Sequence, residues 1–173
     1  GLHYAAEKGH ISLARIKLEL DKVDINYSDE AGYTPLIKAV MKGHVDFISF
    51  ILEEGADPNA KTNEGFTALM AASESGDTSI LKLLLDHKAD PDIRNFQGAT
   101  SLHIAASLGN TEILKILLES GADPSIRDNT SMKSILEMES GREVITISGD
   151  ENMIAGLTAL DVARLCGQHD AVN

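Results

Sequence analysis

Residues 31–60 read AGYTPLIKAVMKGHVDFISFILEEGADPNA. Thr34 stands where a helix begins, since its hydroxyl can accept from an orphan N–H of the first turn. Pro35 follows at the first helical position, where its missing N–H costs nothing. The helix is predicted to run to about Lys42 and to end at Gly43. A second helix starts near Val45 and carries Phe47, Ile48, Ile51 and Leu52 at helical spacing. Gly55 ends it, as the left-handed residue that a helix C-terminus often needs. ADPNAKTNEG then leads out as a turn. One such helix pair cannot bury its apolar face alone and has to stack on others.

The chain supplies those others. Thr34, Thr67 and Thr100 stand 33 apart, and so do Leu36, Leu69 and Leu102, Ala39, Ala72 and Ala105, and Gly43, Gly76 and Gly109. Leu52, Leu85 and Leu118 extend the register, and GADP at 55–58 returns as KADP at 88–91 and GADP at 121–124. Many columns at one period of this length mean a stacked, quasi-linear architecture. In the GADP column Lys88 replaces glycine, which predicts a strained left-handed residue.

Composition agrees. The 173 residues suffice for one domain, and 43% are hydrophobic, yet Trp is absent and aromatics make up 4%. Leu, Ile and Ala therefore do the packing, as thin layers of short helices require. No apolar run reaches membrane-spanning length and no signal peptide is visible. The single cysteine, Cys166, cannot form an internal disulfide, which points to a reducing, intracellular and cytoplasmic setting, with the nucleus compatible. The sequons NYS at 26–28 and NTS at 129–131 are then expected to go unused.

GYTPLIKAVMKGH, GFTALMAASESGD, GATSLHIAASLGN and LHYAAEKGH at 2–10 resemble the ankyrin repeat, and so do EEGADPNA and ESGADPSI. The resemblance covers residues 1–129 and 156–173. It implies an all-α solenoid of stacked helix-turn-helix units, with β-turn fingers projecting from one edge. Binding is implied along the concave face made by the fingers and first helices. The units read as 1–30 (partial), 31–63, 64–96, 97–130, a non-repeat stretch at 131–155 and the start of a last unit at 156–173. Both ends fall inside a repeat, which reads as part of a longer protein.

Two departures from the period stand out. His10 to Asn26 spans 16 positions where His44 to Asn59 spans 15, so a slightly irregular second helix is expected near Arg15–Leu20. Lys133 occupies the column of Thr100, and the next repeat threonine is Thr158, 25 positions late. Either the 131–155 stretch is an excursion within a finger, or SMKSILEMESG at 131–141 is a degenerate first helix. Ile135 and Met138 are on register, whereas EVITIS is β-branched and alternating. A short helix near 132–139 followed by a strand or extended loop near 143–148 is the favoured hybrid. It reads as a tolerated surface loop or as a segment that shapes a binding surface.

Signals for catalysis are poor. No Gly-rich phosphate loop occurs, and none of His3, His10, His44, His87, His103 and His169 pairs at metal-ligand helical spacing. DPDIRNFQG at 90–98 has the wrong acidic spacing for a calcium loop. SGDE at 148–151 fits a capping box or an acidic phosphorylation site only weakly. No catalytic residue, metal or cofactor is expected, and the chain does not read as an enzyme.

The net charge of −12 disfavours nucleic acid and anionic membranes, and favours a protein or peptide of cationic or mixed charge. Oligomeric state is not legible. The resemblance places partner-binding positions beside the finger glycines and at the ends of the first helices. Mapped onto this chain they are Glu30, Tyr33, Met41 and Lys42; Asn63, Glu64, Phe66, Glu74 and Ser75; Phe96, Gln97, Ala99, Ser107 and Leu108; and Leu157 and Leu165. Tyr33, Phe66, Met41, Phe96 and Leu108 are expected to form an exposed apolar row with polar edges. The resemblance also suggests Asn59 as a target of asparaginyl hydroxylation. The expected function is a protein-interaction module of scaffold or adaptor type. A regulatory array controlling an enzyme or channel domain in the same longer chain is the alternative.

Overall fold

The computed structural model describes residues 1–129. The expectations for 131–155 and 156–173, with Leu157, Leu165 and Cys166, lie outside the described residues. Among the described residues eight helices follow in order: α1 (Leu2–Lys8), α2 (Ile11–Glu19), α3 (Pro35–Lys42), α4 (Val45–Glu53), α5 (Ala68–Ser75), α6 (Thr78–Asp86), α7 (Ser101–Ser107) and α8 (Thr111–Glu119). They form an all-α solenoid of four helix pairs in two layers. The first helices pack in the order α1, α3, α5, α7, and the second helices in the order α2, α4, α6, α8.

Local chemistry sets the helix ends. The Thr34 hydroxyl accepts from the N–H of Ile37 and that of Thr67 from Met70, each at 3.3 Å. At the third start, His103 Nδ1 accepts from the Thr100 N–H at 3.2 Å, the returning half of a capping box. Asp77 and Asn110 cap α6 and α8 through their side chains. Gly43 and Gly55 close their helices at φ 73° and 96°.

The period becomes packing. Ala5, Ala39, Ala72 and Ala105 are all at 0% exposure, the small column that lets neighbouring first helices approach closely. Leu36, Leu69 and Leu102 fill the space beside them, and Ile51, Leu84 and Leu117 bury the second layer. Every buried side-chain N or O among the described residues has a hydrogen-bond partner.

The extra residue of the first unit does not disturb α2, contrary to expectation. That helix keeps nine residues, as α4 does. The slack is taken up after it. In the second unit the Ala56 N–H returns to the Ile51 carbonyl at 3.0 Å, five residues back; in the first, the Val23 N–H reaches six back, to Lys17, at 3.3 Å. Lys22 turns left-handed there at φ 52°. Inserting a residue into a helix would break its hydrogen-bond ladder and rotate every later side chain, whereas the turn absorbs it with one strained residue.

Candidate protein-binding surface

The fingers are built identically. Asp29 donates its N–H to the Tyr33 carbonyl at 3.0 Å, Thr62 to Phe66 at 2.9 Å and Asn95 to Ala99 at 3.0 Å. Within each, the glycine N–H returns to the first carbonyl at 2.9 Å, from Gly32, Gly65 and Gly98. The side chain that opens each finger holds the turn from inside. Asp29 Oδ1 accepts from Ala31 and Tyr33, Thr62 Oγ1 from Phe66, and Asn95 Oδ1 from Gln97 and Ala99.

Successive fingers are joined by backbone. The N–H of Asn63 bonds the Ala31 carbonyl at 3.0 Å, that of Phe96 the Glu64 carbonyl at 3.0 Å, and that of Asn129 the Gln97 carbonyl at 2.7 Å. Gly65 is required for this approach, since its φ is 78° and a Cβ there would lie 2.9 Å from Asn95 Cα. Two junctions gain a side-chain bond: Asn63 Nδ2 donates to the Glu30 carbonyl at 2.8 Å and Asn129 Nδ2 to the Phe96 carbonyl at 3.3 Å. Phe96, in the same column, has no amide to offer.

The row expected to be exposed divides in two. Phe96, Leu108 and Met41 are 75%, 57% and 55% exposed. Tyr33 and Phe66 are half-buried and pack against the core, as Ala99 in their column is also half-buried. Glu30, Lys42, Asn63, Glu64, Glu74, Ser75, Gln97 and Ser107 are exposed, though Asn63 also serves as the bridge just described. Five of the expected residues, Glu64, Phe66, Glu74, Phe96 and Gln97, line one open concavity of about 490 Å³. Asn95 and Ile104 complete it. Sequence reasoning missed these two. Ile104 sits in a column whose other members, Tyr4, Lys38 and Ala71, differ in size and charge, and that variability was the available signal.

At the first junction Lys38 Nζ lies 3.1 Å from Glu7 Oε1 and 3.0 Å from Asp29 Oδ2, and 5.9 Å from the centre of the Tyr33 ring. Hydrogen bonding to Lys38 holds the Glu7 and Asp29 carboxyls below their usual range, and the bond to Asp29 raises Lys38.

Among the described residues, three histidines hold backbone or cap a helix. His3 Nε2 contacts the Tyr33 carbonyl at 2.7 Å, His44 Nε2 the Glu7 carbonyl at 2.9 Å, and His103 caps α7. Asn59 is engaged at both ends of its amide, with Oδ1 accepting from Asp90 at 2.7 Å and Nδ2 donating to the Lys88 carbonyl at 3.2 Å. No group of three or more potential metal ligands clusters, and no helix is long and apolar enough to cross a membrane, among the described residues.

Residues 2–52 match the family described as "Ankyrin repeats (many copies)" and residues 58–128 the one described as "Ankyrin repeats (3 copies)". The chain is 43% identical over 56 residues to 26S proteasome non-ATPase regulatory subunit 10 of Dictyostelium discoideum, covering 32% of this chain and 24% of that protein. It is 38% identical over 61 residues to ankyrin repeat domain-containing protein 49 of Homo sapiens, covering 35% and 26%. It is 37% identical over 57 residues to ankyrin repeat family A protein 2 of Bos taurus, covering 33% and 18%. The matches thus span about a quarter or less of these relatives. With stacked helix pairs, glycine-turned fingers and both family matches in one register, the chain belongs to the ankyrin-repeat family.

Proposed function

We propose that this chain is a protein-interaction module that holds a protein or peptide segment along its fingers and first helices, in a scaffold or adaptor role. The observation that carries the reading is Phe96. It is a large apolar side chain, 75% exposed, at the lip of the concavity, in a column where asparagine would bridge two fingers. A phenylalanine there gives up a stabilising bond and exposes apolar area to water. A partner that covers it recovers that loss. Met41 and Leu108 supply further apolar contact, and Glu30, Lys42, Gln97 and Ser107 a polar rim. Control of a fused enzyme or channel domain would use the same surface. Binding needs no catalytic group, cofactor or metal, and an intracellular setting suits a module of this kind. Hydroxylation of Asn59 at Cβ would leave both of its amide bonds in place.

The test is selection of binders from a random peptide library displayed on phage, followed by affinity measurement against three variants. Phe96→Ala and Leu108→Ala should each weaken binding by about 1–2 kcal/mol. Lys82→Ala, exposed on α6, should leave it unchanged. Binders indifferent to Phe96 and Leu108 but sensitive to Lys82 would move the binding site to the other layer.

A further inference from the structure

The junction of the first and second repeats and that of the third and fourth, the last helix-pair junction among the described residues, share an acidic position and differ in the residue that faces it. Glu7, near the end of α1, corresponds through the repeat to Glu74, near the end of α5. Lys38 on α3 corresponds to Ile104 on α7. At the first junction the chain supplies its own cation. The Lys38 ammonium bonds the Glu7 and Asp29 carboxylates and faces the Tyr33 ring. At the last junction the Glu74 carboxylate is in place, a second carboxylate, Glu64, lines the same concavity, and two phenylalanine rings, Phe66 and Phe96, stand beside them. Where the ammonium would be, there is the apolar Ile104. Neither Glu64 nor Glu74 has an ion-pair partner among the described residues.

We propose that the concavity between the third and fourth repeats receives a basic side chain, arginine or lysine, of the bound polypeptide. This rests on the reading of that surface as the binding face and names what it selects. Two carboxylates in a concavity are complementary to a cation, and ring faces attract it further. Arginine suits the site better than lysine, because its flat guanidinium can stack on a phenylalanine while its fork donates to a carboxylate. The partner's cation then occupies the role that Lys38 plays within the chain at the first junction. Ile104 provides the apolar floor along which the methylene stem lies.

The experiment uses the phage-selected peptides, resynthesised with each arginine replaced by citrulline, its neutral isostere, or each lysine by norleucine. One neutralisation should lower affinity at least about tenfold on the unchanged protein. On the Glu64→Gln, Glu74→Gln double variant the same replacement should cost less than about threefold, because the carboxylates it served are gone. Ile104→Lys places an internal cation where Lys38 stands at the first junction. It should weaken the basic peptides about tenfold or more while keeping both carboxylates. Circular dichroism and denaturation midpoints confirm folding of each variant. Selected peptides that depend on Phe96 yet carry no basic residue would overturn the inference and leave the binding face standing. So would basic peptides whose neutralisation costs the same on the double glutamine variant. Peptides indifferent to Phe96 would overturn both.

Discussion

Two fingers of this array share a backbone and differ in the side chains at their tips. The one at 62–66 contains Asn63, whose amide ties it to the preceding finger at 2.8 Å, and its Phe66 folds onto the core. The one at 95–99 has Phe96 in the asparagine column, pointing into solvent, and small, half-buried Ala99 in the column of Phe66. The backbone bond between fingers is 3.0 Å long in both. Architecture therefore resides in the glycine, the turn-holding side chain and the shared backbone bond. The side chains at the tip can be spent on stability or on recognition. We propose that the asparagine finger does the first and the phenylalanine finger the second.

The largest effect should come from breaking the shared part. Gly65→Ala forces a left-handed alanine and drives its Cβ to 2.9 Å from Asn95 Cα, backbone that cannot yield. It should cost about 2–3 kcal/mol in urea denaturation. Gly98→Ala has the same left-handed penalty but meets only side-chain atoms of Arg94 and Asn129, so it should cost distinctly less. Equal costs would mean that the fingers do not pack as closely as the geometry says.

A smaller effect separates recognition from tolerated strain. Lys88 is left-handed at φ 68°, in the column of Gly55 and Gly121, and is exposed away from the concavity. Lys88→Gly should stabilise by about 0.5–1 kcal/mol and leave peptide affinity unchanged. An altered affinity would extend the binding surface to the second turn of the repeat.

The smallest effect concerns the finger that is held by charge. Glu7 and Asp29 have lowered folded values, so their contribution is fully present above their ordinary values of 4.5 and 3.8 and is lost as pH falls through the lowered ones. Lys38 is raised, so its contribution is fully present below its ordinary value of 10.5 and is lost as pH rises through the raised one. Between neutral pH and pH 3 the denaturation midpoint should fall more for the parent than for Lys38→Met. Parallel curves would mean that these exposed pairs add nothing measurable.

The period of 33 made the fold legible, because threonine caps, alanine contacts and glycine turns each recur for a reason that one repeat already explains. The place where the first unit stores its extra residue was not legible. Length reveals an insertion, but only the hydrogen-bond pattern shows that the turn at Lys22 yields before the helix does. The candidate surface was legible in its columns and not in its depths. Tyr33 and Phe66 lie on the expected row, but a side chain that long can fold back onto the core, and both do. Ile104 escaped notice because its column is lysine in one repeat and buried alanine in another, so no single repeat marks it as surface.

The central claim, that one finger gives up stability for recognition, is tested most directly by Phe96→Asn, measured for denaturation midpoint and for affinity to the selected peptides. Asparagine at 96 should regain the bridge that Asn63 and Asn129 make, to the carbonyl of residue 63. The account predicts opposite changes: stability up by about 0.5–1.5 kcal/mol and affinity down about tenfold. Unchanged affinity, or stability and affinity falling together, would contradict it and return Phe96 to the structure as an ordinary part of the finger.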